Sequence, residues 1–189
     1  MTILAGGCSP RTERLIHPDW ITNAVIYEVN TRQITPEGTF SALSFKLPEL
    51  REKGIDVLWF MPIHPIGEVG RKGSLGSYYA IRDYGAVNPE FGTMEDFRQL
   101  VDKAHNLGMK VVLDWVAAHT SRDAVWLDQE DWYIRRPDGE AEFLYDWSDV
   151  ARLNYENQDM RQAMLEKMLF WLEDIDIDGF RCDMADLTP

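Results

Sequence analysis

The sequence has little of what would make it a cross-linked, membrane-spanning or polyanion-binding protein. It holds only two cysteines in 189 residues, Cys8 and Cys182. One lies in an N-terminal tail and the other inside an apolar run, so they form no disulfide framework and both are read as unpaired. Nowhere do about 18 apolar residues run together, so no segment reads as membrane-spanning. Basic residues are scarce: 19 Lys and Arg stand against 32 Asp and Glu, a formal net charge of −13. A surface this acidic repels phosphate backbones, and no basic stripe offsets it, which excludes nucleic acid as a partner. Neither Gly-x-Gly-x-x-Gly nor a Gly-Lys-Ser/Thr phosphate loop occurs. The glycines at 67, 70, 73 and 76 read as no more than a flexible loop. The four histidines, His17, His64, His105 and His119, miss the spacing of a helical zinc site. The run Asp174–Gly179 opens like a calcium-binding loop, but its twelfth position is Ala185 where a Glu is required. It is read as a solvated turn.

What is present points to one large core. Apolar residues make up 45% of the chain, and seven of its residues are Trp. At a typical ~150 residues per domain, the length allows one domain or slightly more. Residues 1–22 form a tail and 23–189 the ordered body. The tail segment Met1–Pro10 is similar to the end of a bacterial lipoprotein signal, with Cys8 as the lipid-bearing residue. On that similarity the protein is anchored outside the cytoplasm; without it, the protein is cytoplasmic.

Four apolar, β-branched or aromatic runs read as strands: 24–30, 55–61, 110–116 and 178–184. Three helices separate them, at 43–53, 97–107 and 159–173. Thr93 and Asp96 form a capping box before the second helix, and Gly54 and Gly108 stand where helices end. Alternating β and α elements specify parallel strands with helical crossovers. The choice lies between a doubly wound sheet and a (β/α)8 barrel. A complete barrel takes about 250 residues, so four strands would be half of one. One connection, residues 117–157, is too long for a plain crossover and carries seven Trp, Tyr and Phe residues. Loops this long are usually functional. It is expected to pack over the C-terminal end of the sheet, where both architectures bind ligands.

The chemistry-bearing residues cluster at the ends of the third and fourth strands. Side chains alternate along a strand, so Arg181 and Asp183 share one side while Cys182 faces the helices. Asp114, late in the third strand, faces the same cleft, and His119 follows five residues on. Arg181 is expected to favour an ionised Asp183, and an anionic carboxylate in a cleft is what a nucleophile requires. The plain alternative is an internal ion pair pinning two strands.

Three segments decide between these. Asp114-Trp-Val-Ala-Ala-His119 resembles the first motif of the alpha-amylase superfamily, glycoside hydrolase family 13. Gly179-Phe-Arg-Cys-Asp183 resembles the second. Ser77 to Tyr84, running into Val87 to Thr93, resembles the stretch before the second barrel helix. The resemblance covers about residues 23–189. It implies the N-terminal half of a TIM barrel, strands one to four, with 117–157 as the small second domain of that family. It implies Asp183 as nucleophile, Arg181 holding it, Tyr79 stacking on a sugar ring, His119 bonding sugar hydroxyls, and Asp114 bracing Arg181 and Tyr79. The implied activity is retaining hydrolysis of α-glucosidic bonds in starch-like glucans or maltodextrins. Glucosyl transfer or isomerisation is the alternative, followed by a non-catalytic amylase-like subunit.

Two departures from the pattern matter. The family often places a calcium-ligating Asn where this chain has Ala118, which makes a calcium cofactor doubtful and leaves no metal expected. The family also draws its general acid, a Glu, and a further Asp from later strands not present here. The chain is therefore expected to be truncated and inactive alone, with an oligosaccharide as the partner of the parent site.

Overall fold

The computed structural model describes residues 17–188. Cys8 and the lipoprotein-like segment lie outside the described residues. The body is a four-stranded parallel sheet in the order β1-β2-β3-β6 with helices along one face. In chain order come β1 (Ile26–Val29), the single turn α1 (Thr31–Ile34), α2 (Phe40–Glu52), β2 (Val57–Phe60), α3 (Met94–Asn106) and β3 (Lys110–Val116). An antiparallel pair follows, β4 (His119–Ser121) and β5 (Val150–Arg152). α4 (Gln158–Leu169) and β6 (Gly179–Asp183) complete the order.

The local signals explain most of these elements. The Thr93–Asp96 capping box forms: the Thr93 side chain accepts from Asp96 N, and the Asp96 carboxylate accepts from Thr93 N at 2.7 Å. Phe97, Leu100, Val101 and Ala104 bury one face of α3 against the sheet. α2 begins three residues earlier than its periodicity predicts, because the Thr39 side chain caps it by accepting from Ala42 N. Pro48 sits inside α2. The third helix is not one regular helix to Glu173. α4 stops at Leu169 and a π-helical turn, Phe170–Asp174, follows. That turn swings Trp171 fully into the core, where its indole N–H donates to the Tyr84 carbonyl at 2.7 Å.

Three further expectations need correction. The turn before β6 is not merely solvated. The Asp178 carboxylate accepts from Lys110 Nζ at 2.7 Å, from the Val111 backbone N–H at 2.8 Å and from His105 Nε2 at 2.7 Å. It ties the entry of β6 to α3 and β3. The glycine loop is not a loose one either. Gly67 passes so close to β4 that a Cβ would lie 2.2 Å from Ser121 Cβ. Finally, Cys182 lies on the Trp115 side of the sheet, as alternation requires, yet it is exposed. β6 is an edge strand, and no described element covers that position.

Residues 117–157 do form an ordered excursion. The β4–β5 pair is its base, and Trp126 and Tyr133 are buried inside it. The Tyr133 hydroxyl meets Thr120 Oγ1 at 3.0 Å, and Tyr155 Oη donates to the Ala117 carbonyl at 2.9 Å. Four of its seven aromatic residues, Trp126, Trp132, Tyr133 and Tyr155, pack in or against the hydrophobic core.

Candidate active site

β3 and β6 run parallel with Asp114 opposite Arg181 and Val116 opposite Asp183. This register places Asp114, Arg181 and Asp183 on one side of the sheet at its C-terminal end. A single guanidinium nitrogen joins them. Arg181 Nη1 donates to Asp114 Oδ1 at 3.0 Å and to Asp183 Oδ1 at 2.8 Å. Its guanidinium also lies over the Trp59 ring, 5.0 Å from the centroid. Asp114 is fully buried and accepts further bonds from Trp59 Nε1 and Tyr79 Oη, both at 3.3 Å. Burial pushes its carboxyl above the ordinary range, against the pull of Arg181. Tyr79 is shifted well up by burial and by the neighbouring Asp114 and Asp183, so its hydroxyl stays a donor.

A cavity of about 320 Å³ opens above this cluster, lined by Asp183, Tyr79, His119 and Ser77 from the predicted motifs. Lys72, Trp147, Asp149, Val150 and Met184 complete the lining. Asp114 and Arg181 are not part of its wall; Asp114 is buried and the Arg181 side chain is partly exposed. His119 is buried, and burial holds its pKa below the ordinary value against the charges of Asp183 and Asp149. The imidazole is therefore neutral at pH 7, with Nδ1 unpartnered among the described residues. Trp147 packs beside it at 5.8 Å between ring centroids.

The structure thus brings together all five residues singled out from sequence. Lys72, Asp149, Trp59 and Trp147 escaped that reading. A lysine in a glycine loop and one aspartate among many carry no sequence signal. Trp59 and Trp147 were visible only as aromatics. Ala118 is buried and brings no side-chain oxygen to the position where the family often has Asn.

A parallel α/β sheet with an acid–guanidinium cluster and a cavity at its C-terminal edge defines an enzyme-type domain of the barrel or doubly wound class. The comparisons with known proteins name the class. The family model for the alpha amylase catalytic domain matches residues 18–188. Alpha-amylase MalA of Haloarcula japonica is 29% identical over 91% of this chain and 26% of its own length. The alpha-1,4-glucan:maltose-1-phosphate maltosyltransferase of Rhodospirillum rubrum is 34% identical over 95% of this chain and 30% of its own. Among solved structures, an alpha-amylase from Lactobacillus plantarum superposes with a TM-score of 0.86 at 44% identity, over 88% of this chain and 40% of that one. A maltogenic alpha-amylase from Thermotoga neapolitana gives 0.83 at 40% identity, over 89% and 41%. The chain belongs to the alpha-amylase family, glycoside hydrolase family 13, and its sheet is a partial TIM barrel. It spans between 26% and 41% of these four proteins' lengths.

Proposed function

We propose that this chain carries the nucleophile half of a retaining α-glucosidase site acting on starch-like glucans or maltodextrins. The observation that carries the reading is Asp183: a carboxylate in the cavity wall, oriented by an arginine that is itself braced by a buried aspartate. One Asp183 oxygen attacks the anomeric carbon. The glycosidic C–O bond breaks, and its electron pair leaves on oxygen, which takes a proton from a general acid. Water then displaces the carboxylate from the anomeric carbon, and configuration is retained. Tyr79 offers its ring to the sugar and His119 a neutral imidazole to a hydroxyl. Arg181 and Asp114 are positioning residues, fixing Asp183 without touching substrate.

Among the described residues, no second carboxylate in the cavity wall is free to act as the general acid. Asp149, the other carboxylate in the wall, is paired with Lys72, and Glu140 and Glu142 are paired with Arg122 and Arg152 away from the cavity. A substrate whose leaving group needs no proton bypasses that gap. Incubation with 5-fluoro-α-glucosyl fluoride should release fluoride and leave one fluoroglucosyl group on the peptide containing Asp183, found by mass spectrometry. Asp183→Asn should remain unlabelled. Labelling elsewhere, on Cys182 for example, or no labelling at all, overturns the assignment.

A further inference from the structure

The loop after β2 carries a lysine that the chemistry above does not use. Lys72 lines the same cavity as Asp183. Its Nζ donates to the Asp146 carbonyl at 2.9 Å and lies 3.4 Å from Asp149 Oδ1. Asp149 is buried, whereas the Lys72 side chain is 47% exposed. An ammonium has three N–H groups and no acceptor. One goes to Asp146 and one toward Asp149, which leaves a third for the cavity. A carboxylate has about four acceptor positions, so Asp149 also keeps capacity after its bond to Lys72.

The loop holds this pair in place. Arg71 Nε and Nη2 donate to the Gly67 and Ile66 carbonyls at 2.8 and 3.0 Å. Gly70, at φ +72°, runs so close to the excursion that a Cβ would lie 3.2 Å from the Ser148 carbonyl. Arg71 and Gly70 hold the loop against the excursion, and from it the Lys72 Nζ reaches Asp146 and Asp149.

The lining also argues for the class of ligand. Its charged side chains are Lys72, Asp149 and Asp183, one cation against two anions, which disfavours an anionic substituent. The cavity would hold about ten waters at ~30 Å³ each, room for about one sugar ring. A ring with its anomeric carbon at Asp183 turns its other hydroxyls to the rest of the wall. A donor and an acceptor side by side match a vicinal diol, in which each hydroxyl both donates and accepts.

We propose that Lys72 and Asp149 together read a vicinal pair of ring hydroxyls on the sugar unit held at Asp183, making Lys72 a specificity-determining residue for neutral hexopyranosides. This rests on the reading of the cavity as a glucosyl site. Any vicinal pair among the C2, C3 and C4 hydroxyls includes C3, so the 3-deoxy sugar breaks them all.

The test is a tryptophan-fluorescence titration of the 189-residue chain with methyl α-glucoside and with methyl 3-deoxy-α-glucoside. The wild type should bind the glucoside about tenfold more tightly, and Lys72→Met should bind the two sugars within twofold of each other. A structural role alone would weaken both sugars alike. A variant that keeps the wild-type ratio therefore overturns the proposal. If Lys72→Met does not fold, the near-isosteric Asp149→Asn carries the same comparison with the same loss of preference expected. A wild type that is labelled at Asp183 by the fluoride reagent yet shows no preference between the sugars overturns this proposal alone. A wild type that is neither labelled nor binds either sugar overturns it together with the glucosyl-site reading.

Discussion

Single residues in this protein hold charge in unlike ways. Asp114 is ionisable, fully buried and compensated by Arg181, Trp59 and Tyr79. His64 is just as buried but carries no such compensation. It packs against Tyr84, Trp115 and Trp171, and Nδ1 donates to the Ala86 carbonyl at 3.1 Å while Nε2 has no partner among the described residues. Burial lowers its pKa from 6.5 to about 4. The unfolded chain therefore binds a proton below pH 6.5 that the folded chain refuses until about pH 4. Stability contributed by the neutral ring is complete above 6.5 and falls as pH drops toward 4, by about 3 kcal/mol at most. His64→Asn keeps a donor near Nδ1 and removes the titration. Urea midpoints at pH 7 and pH 4.5 should fall for the wild type and fall much less for the variant. The smaller side chain costs stability at every pH, so the slope is the informative quantity.

Elements are joined here by residues that periodicity ignores. Asp178 is the clearest case. Burial alone would raise its pKa, but the bonds from Lys110, the Val111 N–H and His105 outweigh it and hold the carboxyl below the ordinary range. A depressed carboxyl contributes stability above its unfolded pKa and loses it as pH falls through the folded value. Asp178→Asn should cost about 2 kcal/mol near pH 7, since bonds to a charged group are worth more than neutral ones. The gap between variant and wild type should narrow below the ordinary Asp range, near pH 3. Chemical denaturation at the two pH values measures it, and an equal gap at both would show that Asp178 acts by shape alone. The loop after β2 is the second joint. Gly67→Ala drives a methyl into Ser121, so it should disturb the β4–β5 pair from a distance, read as a change in near-ultraviolet tryptophan circular dichroism.

For the whole molecule, the sheet edges set behaviour. β1 is an edge strand, and Val25, Ile26 and Tyr27 are exposed at 50%, 55% and 37%. Unpaired edges with apolar side chains recruit other chains. Size-exclusion chromatography of the chain should show concentration-dependent self-association, and Ile26→Lys should shift it toward monomer. The net charge of −13 opposes association, so raising salt should strengthen it. Turnover of maltotriose by the chain alone should be undetectable, because acid assistance to the leaving oxygen is worth about 10²–10⁴ in rate. Turnover by a clean monomer would require one of the paired carboxylates of the excursion to act as the acid.

The sequence by itself determined the order of strands and helices, the α3 capping box and the shared face of Asp114, Arg181 and Asp183. Each follows from a local rule: a period of two or of 3.6, a capping side chain, a crossover of fixed hand. Tyr79 and the role of His119 came from the resemblance of their segments to the motifs of the alpha-amylase family. Tertiary structure alone decided the rest. Asp178 read as a solvated turn residue because its three donors come from α3 and β3, more than sixty positions away. The π-helical turn brings Trp171 to the Tyr84 carbonyl, a partner 87 positions away that no pattern within α4 announces. Lys72 and Asp149 meet only because two glycines let the loop after β2 lie against the excursion. Whether a charged side chain is solvated or buried in a wall depends on what packs over it, and that is a property of distant chain segments brought into contact.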